Sequence, residues 1–393
     1  MSERVTVIGG GLAGSEAAYS LAQAGVGVDL YEMRPCRSTD AHKTDRLAEL
    51  VCSNSFRDNS TMTAVGVLKR EMRAMGSLVM KVADEVAVPA GSALAVDRVR
   101  FAEGVTAAVE GLDSVTIHRQ ELLDIPDGPV CIVATGPLTS PDLSRSLARF
   151  IGTEHLYFYD AISPIITADS VDTTRTFRAS RYNKGGDDYV NCPLDQKTYE
   201  GFIDALMEAD KVPLKSFERC TYFEGCMPIE ELARRGRDTL RFGAMKPVGL
   251  QPPDGSRPHA VVQLRQDDRE GRLLSMVGFQ TKMTYGEQRR VFRSIPGMEA
   301  AEFVRLGSLH RNTFINSPRA LTRELMVRGS RGVFVAGQLV GVEGYVESAA
   351  SGMLCGLNAA RLLGGLEPAS PPSTTALGSL LDYVTERSRR EVQ

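Results

Sequence analysis

VTVIGGGLAGSEAAYSLAQAGVGVDLYE, from Val5 to Glu32, is the stretch that decides the fold of this chain. It opens with a short β-branched run, passes through the glycine-rich loop of residues 9–14 into a helix-forming stretch, and closes with a second apolar run. The loop fits the pattern G-x-G-x-x-G, and the acidic Glu32 follows at the end of the second run. This order predicts a βαβ unit that binds a dinucleotide.

The glycines of this loop have separate predicted roles. Gly9 allows the tight turn, Gly11 lets the backbone approach a pyrophosphate, and Gly14 lets the helix pack closely on the strand. Free N–H groups at the start of the helix attract phosphate, and Glu32 can accept hydrogen bonds from a ribose. The alternative is a glycine-rich turn without a ligand. The dinucleotide site predicted here consists of Gly9, Gly10, Gly11, Leu12, Ala13, Gly14 and Glu32.

Two later segments favour FAD over NAD as the tightly bound dinucleotide. Residues 133–136 form a predicted strand that ends in ATG, as in flavoproteins that bind two nucleotides. Residues 335–350 form a second strand-to-helix turn, where such flavoproteins complete the flavin site, and an NAD dehydrogenase does not need it. These segments add to the predicted cofactor-binding residues Thr135, Gly136, Gly337, Gly344, Glu347, Ser348 and Ala349.

The length of 393 residues favours two domains over one. We predict an α/β protein with a Rossmann-like two-nucleotide FAD-binding domain, built from residues 1–160 and 300–393. An inserted β-rich α+β domain is predicted at residues 161–299, with short strands alternating with turns from 217 to 280. A helix from about Ser348 to Leu363 is expected after the last glycine turn.

Composition and charge narrow the classes of function. The formal net charge of −3 gives no global attraction for nucleic acid, so RNA binding needs a local basic patch. Seven cysteines at irregular spacing, without a CxxC pair, indicate neither a disulfide framework nor a zinc site, and we expect no metal. The sequence has neither a membrane-length apolar stretch nor the pattern of a signal peptide, which predicts a cytoplasmic protein without membrane contact.

Several longer strings go beyond a generic flavoprotein. They are YEMRP (31–35), ELVCSNS (49–55), VPAG (88–91), ATGPLTS (134–140), FEGCMPIE (223–230), MKPVGL (245–250), VQLRQDD (262–268), HRNT (310–313) and VEGYVESA (342–349). In content and order they closely resemble the folate- and FAD-dependent tRNA (uracil-5-)-methyltransferases, the TrmFO family, which is related to the GidA flavoproteins. Members of that family continue beyond the position of Gln393, and their extra tail helps to close the flavin and folate region.

The resemblance implies transfer of a one-carbon unit from 5,10-methylenetetrahydrofolate to C5 of a uracil, usually the T-loop uridine at tRNA position 54. Reduced FAD supplies the electrons, and NADH or NADPH recharges it. The resemblance also adds Arg34, in the YEMRP string, to the cofactor-binding residues. Two alternatives remain open. One is an rRNA uracil-5-methyltransferase or an NAD(P)H-oxidising flavoprotein on the same scaffold; the other is a non-catalytic, flavin-bound RNA-binding protein.

Two cysteines are the candidate catalytic residues. C5 of uracil is a poor nucleophile, so the implied reaction needs a thiolate that adds to C6 and a base that later removes the C5 proton. By the resemblance, Cys226 is the predicted nucleophile, and Cys52 is the predicted base or flavin partner. The alternative for either cysteine is a small, buried apolar side chain.

Clustered arginines are the candidate contacts for the phosphates of a tRNA partner. The first cluster is Arg234, Arg235 and Arg237, and the second contains Arg289 and Arg290. A solvated arginine surface is the alternative for each cluster. RNA affinity that depends on these clusters should fall steeply with added salt.

Overall fold

The computed structural model describes residues 4–39, 41–152, 156–212 and 227–386. In these ranges the strands are β1 (Arg4–Ile8), β2 (Gly27–Tyr31), β3 (Ser55–Asp58), β4 (Ala87–Val88), β5 (Ala93–Val96), β6 (Val115–His118), β7 (Cys131–Val133), β8 (Leu156–Ala161), β9 (Ile165–Thr167), β10 (Phe177–Arg178), β11 (Tyr189–Leu194), β12 (Ala260–Gln266), β13 (Leu273–Met276), β14 (Phe303–Arg305), β15 (Leu309–Phe314) and β16 (Val333–Val335). The α-helices are α1 (Leu12–Gln23), α2 (Ala64–Ala74), α3 (Leu78–Glu85), α4 (Arg98–Glu110), α5 (Pro141–Ile151), α6 (Gln196–Glu208), α7 (Ile229–Arg234), α8 (Thr239–Phe242), α9 (Tyr285–Phe292), α10 (Ser317–Ala320), α11 (Tyr345–Leu363) and α12 (Ala376–Thr385).

A five-stranded parallel sheet has the order β16-β7-β1-β2-β6. In its centre Val5 of β1 lies opposite Val28 of β2, and Val7 lies opposite Leu30; all four side chains are fully buried. Such continuous apolar strands are typical of parallel sheets that are covered on both faces. Strand β16 comes from late in the chain and pairs with β7, so early and late segments build one sheet. The predicted α/β class is confirmed.

Two helices that are far apart in sequence, α1 and α11, pack closely together beside this sheet. A Cβ on Gly352 would lie 2.1 Å from the carbonyl oxygen of Ala13, and one on Gly356 would lie 2.7 Å from that of Ala17. Only glycine permits this approach, which holds the start of α11 near the glycine-rich loop. Helix α11 begins at Tyr345 rather than near Ser348, because Gly344, with a φ of +120°, completes the turn immediately before it.

A six-stranded antiparallel sheet has the order β10-β11-β12-β13-β9-β14 and its own hydrophobic core. Helices α6 and α9 contribute Phe202 and Phe292 to that core, and both rings lie against Phe279. The molecule therefore contains a second sheet, antiparallel and separate from the parallel one. The domain limits at residues 160 and 300 stay a prediction.

The stretch from 217 to 280 differs from the predicted alternation of strands and turns. Among its described residues, two short helices, α7 and α8, precede β12 and β13. Pro228 directly precedes α7, and Glu230 and Glu231 in its first turn complement the positive end of the helix dipole. The strand prediction is therefore wrong for residues 229–242.

Candidate functional site

The loop between β1 and α1 contains two kinds of glycine. Some pack tightly against other protein atoms, and one faces open space. A Cβ on Gly9, whose φ is +101°, would lie 2.6 Å from the Ala134 oxygen, and one on Gly14 would lie 1.7 Å from the Gly9 oxygen. A Cβ on Gly11 would meet no heavy atom within 4 Å. The free space in this loop is therefore at Gly11, at the start of α1.

The carboxylate of Glu32 is held in place beside this loop. Its Oε2 accepts a hydrogen bond from the Gly10 amide at 3.0 Å, and its Oε1 accepts from the Arg34 amide at 3.0 Å and from Arg34 Nε at 2.9 Å. Burial alone would raise the pKa of Glu32, but the hydrogen bonds and charge of Arg34 outweigh it and lower the pKa below the ordinary value. Glu32 is thus a negatively charged acceptor.

The Arg34 side chain forms several contacts within the protein. Besides Glu32, its guanidinium contacts Glu49 at 3.1 Å and the main-chain oxygen of Thr44 at 3.1 Å, and its side chain is only 3% exposed. These contacts use its Nε and Nη1, and Arg34 also lines the adjoining cavity. Its structural role is to position Glu32.

A cavity lies at the carboxyl ends of β1, β2 and β7. Gly9, Gly11, Glu32 and Thr135 all line it. Gly136 follows with a φ of +67°, and a Cβ there would also meet no heavy atom within 4 Å. The carboxyl edge of a parallel sheet is where α/β folds bind nucleotides.

The late glycine turn completes the surroundings of α1. The Gly337 amide donates to Ser351 Oγ at 2.7 Å, and a Cβ on Gly337 would lie 3.1 Å from Cβ of Ala13. Leu12 and Ala13 are buried at the start of α1, as are Ser348 and Ala349 in the first turn of α11. The starts of both helices therefore lie side by side.

A second cavity lies at the start of α11 and is lined by Cys52. The Tyr345 hydroxyl oxygen accepts hydrogen bonds from the amides of Cys52 at 2.9 Å and Ser53 at 3.2 Å. Glu347 also lines this cavity, and its Oε2 is buried without a hydrogen-bond partner among the described residues. Burial raises the pKa of Glu347, and Arg57, 3.6 Å from Oε1, opposes this.

Three arginines fasten the segment that carries Cys52. Arg98 Nη1 donates to the Leu50 oxygen at 2.8 Å, and Arg305 Nη2 donates to the Val51 oxygen. Arg265 contacts Asn54 Oδ1 and Ser53 Oγ, each at 3.0 Å. Burial lowers the pKa of Arg305, nearby Arg98 lowers it further, and Cys52 raises it, so these three groups share one electrostatic environment.

Comparison with known proteins identifies the family of this fold and site. The family model described as "Glucose inhibited division protein A" (GidA) matches residues 4–367. The chain belongs to the GidA family. A relative from Natranaerobius thermophilus, named "Methylenetetrahydrofolate--tRNA-(uracil-5-)-methyltransferase TrmFO", is 57% identical over 98% of this chain and 89% of its own length. A relative of the same name from Geobacter sulfurreducens is 56% identical over 100% of this chain and 91% of its own.

Among solved structures, Aquifex aeolicus GidA in its form II crystal matches the fold of this GidA-family protein. The TM-score is 0.74 at 20% sequence identity, over 98% of this chain and 67% of that chain. The predicted family and the predicted Rossmann-like fold are therefore both confirmed.

Sequence reasoning missed several residues of this GidA-family site. Thr39, Gln120 and Glu121 also line the first cavity. The last two follow β6 closely, at the same sheet edge as Glu32. The three arginines around Cys52 lacked any local signal, because they are single residues in separate elements.

Another missed residue, Lys69, supports the wall of the second cavity. It is fully buried in α2, and its Nζ donates to the main-chain oxygens of Phe56 at 2.8 Å and Arg57 at 3.1 Å. Burial lowers its pKa to about 8. Lys69 thereby holds β3, where Arg57 has the unusual φ of +63° for a non-glycine residue.

The predicted RNA-contacting arginines fall into two structural groups. The members in ion pairs are Arg234 with Glu231 at 3.6 Å, Arg237 with Asp204 at 2.6 Å, and Arg290 with Glu287 at 2.5 Å. Arg235 and Arg289 are exposed, and Arg289 Nη1 donates to the main-chain oxygen of Tyr285 at 3.3 Å. Ion pairing reduces the positive charge that the first group offers to RNA.

The predicted nucleophile, Cys226, lies outside the described residues. The described chain resumes at Met227, and the Ile229 amide donates to the oxygen of Gln280, which lines the second cavity, at 2.7 Å. Across the described residues, no group of three or more His, Cys, Asp or Glu side chains is placed to hold a metal ion. None of the described helices has the length and apolar character needed to cross a membrane.

Proposed function

We propose that this protein methylates C5 of uracil in tRNA, at the T-loop uridine of position 54, with the one-carbon unit of 5,10-methylenetetrahydrofolate. The observation that carries the proposal is the position of Cys52, which lines a cavity beside the start of α11. Helix α11 packs against α1, and α1 begins at the dinucleotide loop. The names of the relatives from N. thermophilus and G. sulfurreducens support the same reaction. Such a reaction on tRNA belongs in the cytoplasm.

FAD fits the residues that are present. The open space at Gly11 and Gly136 leaves room for a pyrophosphate, and the charged Glu32 suits ribose hydroxyls. The buried Oε2 of Glu347 can accept a donor from a ligand in the second cavity. The residues that would hold FAD are Gly9, Gly10, Gly11, Leu12, Ala13, Gly14, Glu32, Arg34, Thr135, Gly136, Gly337, Gly344, Glu347, Ser348 and Ala349. When bound and reduced, FAD supplies the two electrons of the reaction, and NADH or NADPH restores them.

The chain's own residues would activate the uracil. The Cys226 thiolate adds to C6, and the new S–C6 bond leaves an electron pair at C5, which forms a bond to the methylene carbon of the folate. Cys52 then accepts the C5 proton as the base while the folate nitrogen leaves with the electron pair of its bond to that carbon, which gives an exocyclic methylene on the uracil. Reduction of this methylene by the two electrons that bound, reduced FAD would supply forms the methyl group, and departure of the Cys226 thiolate from C6 restores the C5–C6 double bond. The guanidinium groups of Arg98 and Arg305 lie close enough to Cys52 to interact electrostatically with its thiolate, the form that accepts a proton.

The test combines spectroscopy with product analysis in one sample. We expect purified protein to show a flavin absorbance spectrum, to bleach on addition of NADPH, and to form 5-methyluridine when 5,10-methylenetetrahydrofolate and unmodified tRNA are added. Cys226→Ala and Cys52→Ala should each abolish 5-methyluridine and retain FAD. Cys36→Ala is the matched control, because Cys36 is an exposed thiol whose Sγ contacts the Arg119 oxygen, away from the second cavity.

Other outcomes distinguish the alternatives. Product from rRNA but not tRNA would indicate an rRNA methyltransferase on this scaffold. Bleaching without methylation of either RNA would indicate an NAD(P)H-oxidising flavoprotein, and RNA binding without bleaching would indicate a non-catalytic binding protein. Failure to bind FAD at all would refute the cofactor assignment.

A further inference from the structure

A wide cleft separates residues 38, 39, 42 and 43 from helix α9 and the segment at residues 303–309. It shares Thr39 and His42 with the dinucleotide cavity, and it shares no lining residue with the cavity lined by Cys52. We call it the basic cleft and define it by Lys43, Lys282, Arg289 and Arg305, with Val212, Tyr285 and Val304 as its exposed apolar members.

The charge of the basic cleft is one-sided. Among the residues that the structure describes, its lining includes four lysine or arginine side chains and no aspartate or glutamate. The whole chain has 49 acidic and 46 basic side chains, so composition alone does not produce such a lining. Lys282 is paired with Glu231 at 2.6 Å, whereas Lys43 and Arg289 are exposed and make no ion pair with any described residue. These two cations are available to a polyanion.

The basic cleft also offers surface to flat apolar groups. Tyr285, at the first position of α9, and Val304, in β14, are each 59% exposed. An exposed aromatic ring beside unpaired cations is the combination that binds single-stranded nucleic acid, with bases stacked on the ring and phosphates on the cations. A purely anionic chain, such as the polyglutamate tail of a folate, has no group that would stack on Tyr285.

The floor of the basic cleft is fixed in place. Gln288 of α9 is fully buried; its Nε2 donates to the oxygens of Met283 at 2.8 Å and Gly307 at 2.9 Å, and its Oε1 accepts from the Gly307 amide at 2.7 Å. One side chain thus joins the two segments that line the cleft. A surface that is ordered in advance loses less entropy when it binds a flexible RNA loop.

Arg305 joins the basic cleft to the candidate active site. It lines the cleft, and its guanidinium donates to the oxygen of Val51, the residue before Cys52. An RNA loop in the cleft is therefore next to the segment that presents the thiol.

We propose that the basic cleft binds the single-stranded loop of the RNA substrate, with Lys43 and Arg289 on its phosphates and Tyr285 against one base. This inference rests on the proposed function for the identity of the substrate. It assigns RNA binding to a surface between the half that contains the parallel sheet and the half that contains the antiparallel sheet. The arginines at 234–237 are not part of this surface.

The test compares single variants in binding and in catalysis. For Lys43→Glu and Arg289→Glu we expect the Kd for fluorescent unmodified tRNA to rise about tenfold, as for loss of a charge-assisted contact. The slope of log Kd against log salt should fall by about one for each lost phosphate contact. Tyr285→Ala should raise Kd by a similar factor without changing that slope, because stacking carries no charge.

Matched controls and independent readouts keep the outcomes distinct. Lys81→Glu and Arg331→Glu change exposed cations outside the cleft and should leave Kd unchanged. FAD content and the rate of bleaching by NADPH should match wild type in every variant, which shows that each is folded. Wild-type affinity for tRNA in Lys43→Glu and Arg289→Glu overturns the inference. So does a higher KM for polyglutamylated folate with an unchanged KM for tRNA, which assigns the cleft to the folate tail.

Failure of the proposed function would look different. Wild-type protein that binds tRNA but forms no 5-methyluridine would refute the function, while the binding constants of the variants would still decide whether the cleft holds RNA.

Discussion

Replacing Gly11 with alanine should weaken FAD binding and leave the fold intact. The new methyl group would meet no heavy atom of the protein within 4 Å, and the φ of −73° at Gly11 suits any residue. Removing a glycine from the unfolded chain should raise the free energy of unfolding by about 0.4–1 kcal/mol. The same methyl group would occupy the space proposed for the pyrophosphate. Overpacking of this kind costs about 1–3 kcal/mol, or roughly 5- to 150-fold in the Kd for FAD.

Gly14→Ala is the opposing variant. Its methyl group would lie 1.7 Å from the Gly9 oxygen, so the start of α1 must move. We expect the free energy of unfolding to fall by more than about 3 kcal/mol, the upper range of overpacking in a core. Gly128→Ala is the matched control, because a Cβ at Gly128 also meets nothing within 4 Å but lies outside both cavities.

Two titrations measure these effects. Urea unfolding of the FAD-free proteins, followed by circular dichroism, gives the free energies, and quenching of flavin fluorescence gives the Kd for FAD. Gly11→Ala protein that binds FAD as tightly as wild type would show that no pyrophosphate lies at Gly11. Loss of stability equal to that of Gly14→Ala would show that the space at Gly11 is needed by the fold itself.

Three further variants test the surroundings of the site. Arg305→Gln should slow alkylation of Cys52 by iodoacetamide at neutral pH by about tenfold, because the substitution removes a positive charge beside the thiol. Peptide mass spectrometry measures the rate of alkylation. The control Arg331→Gln should leave this rate unchanged. Burial raises the pKa of Glu16 from 4.5 to about 7, so the stability that its protonated form contributes is present at low pH and is lost as pH rises through 7. In urea titrations from pH 5 to 8 the free energy of unfolding should therefore fall for wild type, and the non-ionising Glu16→Gln should reduce that fall; equal pH dependence in both proteins would contradict this. Lys69→Met should lower the free energy of unfolding by about 2–5 kcal/mol, because the two main-chain oxygens that accept from Lys69 Nζ lose their donor. Urea titration measures this free energy. An unchanged free energy of unfolding would mean that water replaces the ammonium group.

The dinucleotide half was predictable because its signals are local. Gly9, Gly11 and Gly14 lie within six residues, and Glu32 follows at the end of the next strand, so one stretch specifies strand, loop, helix and acceptor. The structure adds that Arg34, which lines the cavity, is also held by Glu49 and positions Glu32. Sequence spacing does not show which partners occupy a side chain.

The environment of Cys52 was not predictable from the sequence, because its parts are far apart. Arg98 is the first residue of α4, whereas Arg265 and Arg305 lie in β12 and β14 of the antiparallel sheet. A single arginine in a strand has no periodicity or motif that marks its partner. The family resemblance indicated the thiol, and only the fold shows the charges around it.

The arginine contacts that hold the Cys52 segment also indicate the route by which a large substrate reaches Cys52. Arg98, in the half with the parallel sheet, forms a two-pronged contact at 2.7 and 2.9 Å with Asp267, in the half with the antiparallel sheet; Asp267 is almost fully buried. Separating a buried pair strands a charge and costs about 3–5 kcal/mol. Moving the halves apart would break this pair and also the contact of Arg305 with Val51. An RNA loop is therefore expected to enter through the basic cleft, which is already open, while the two halves stay together.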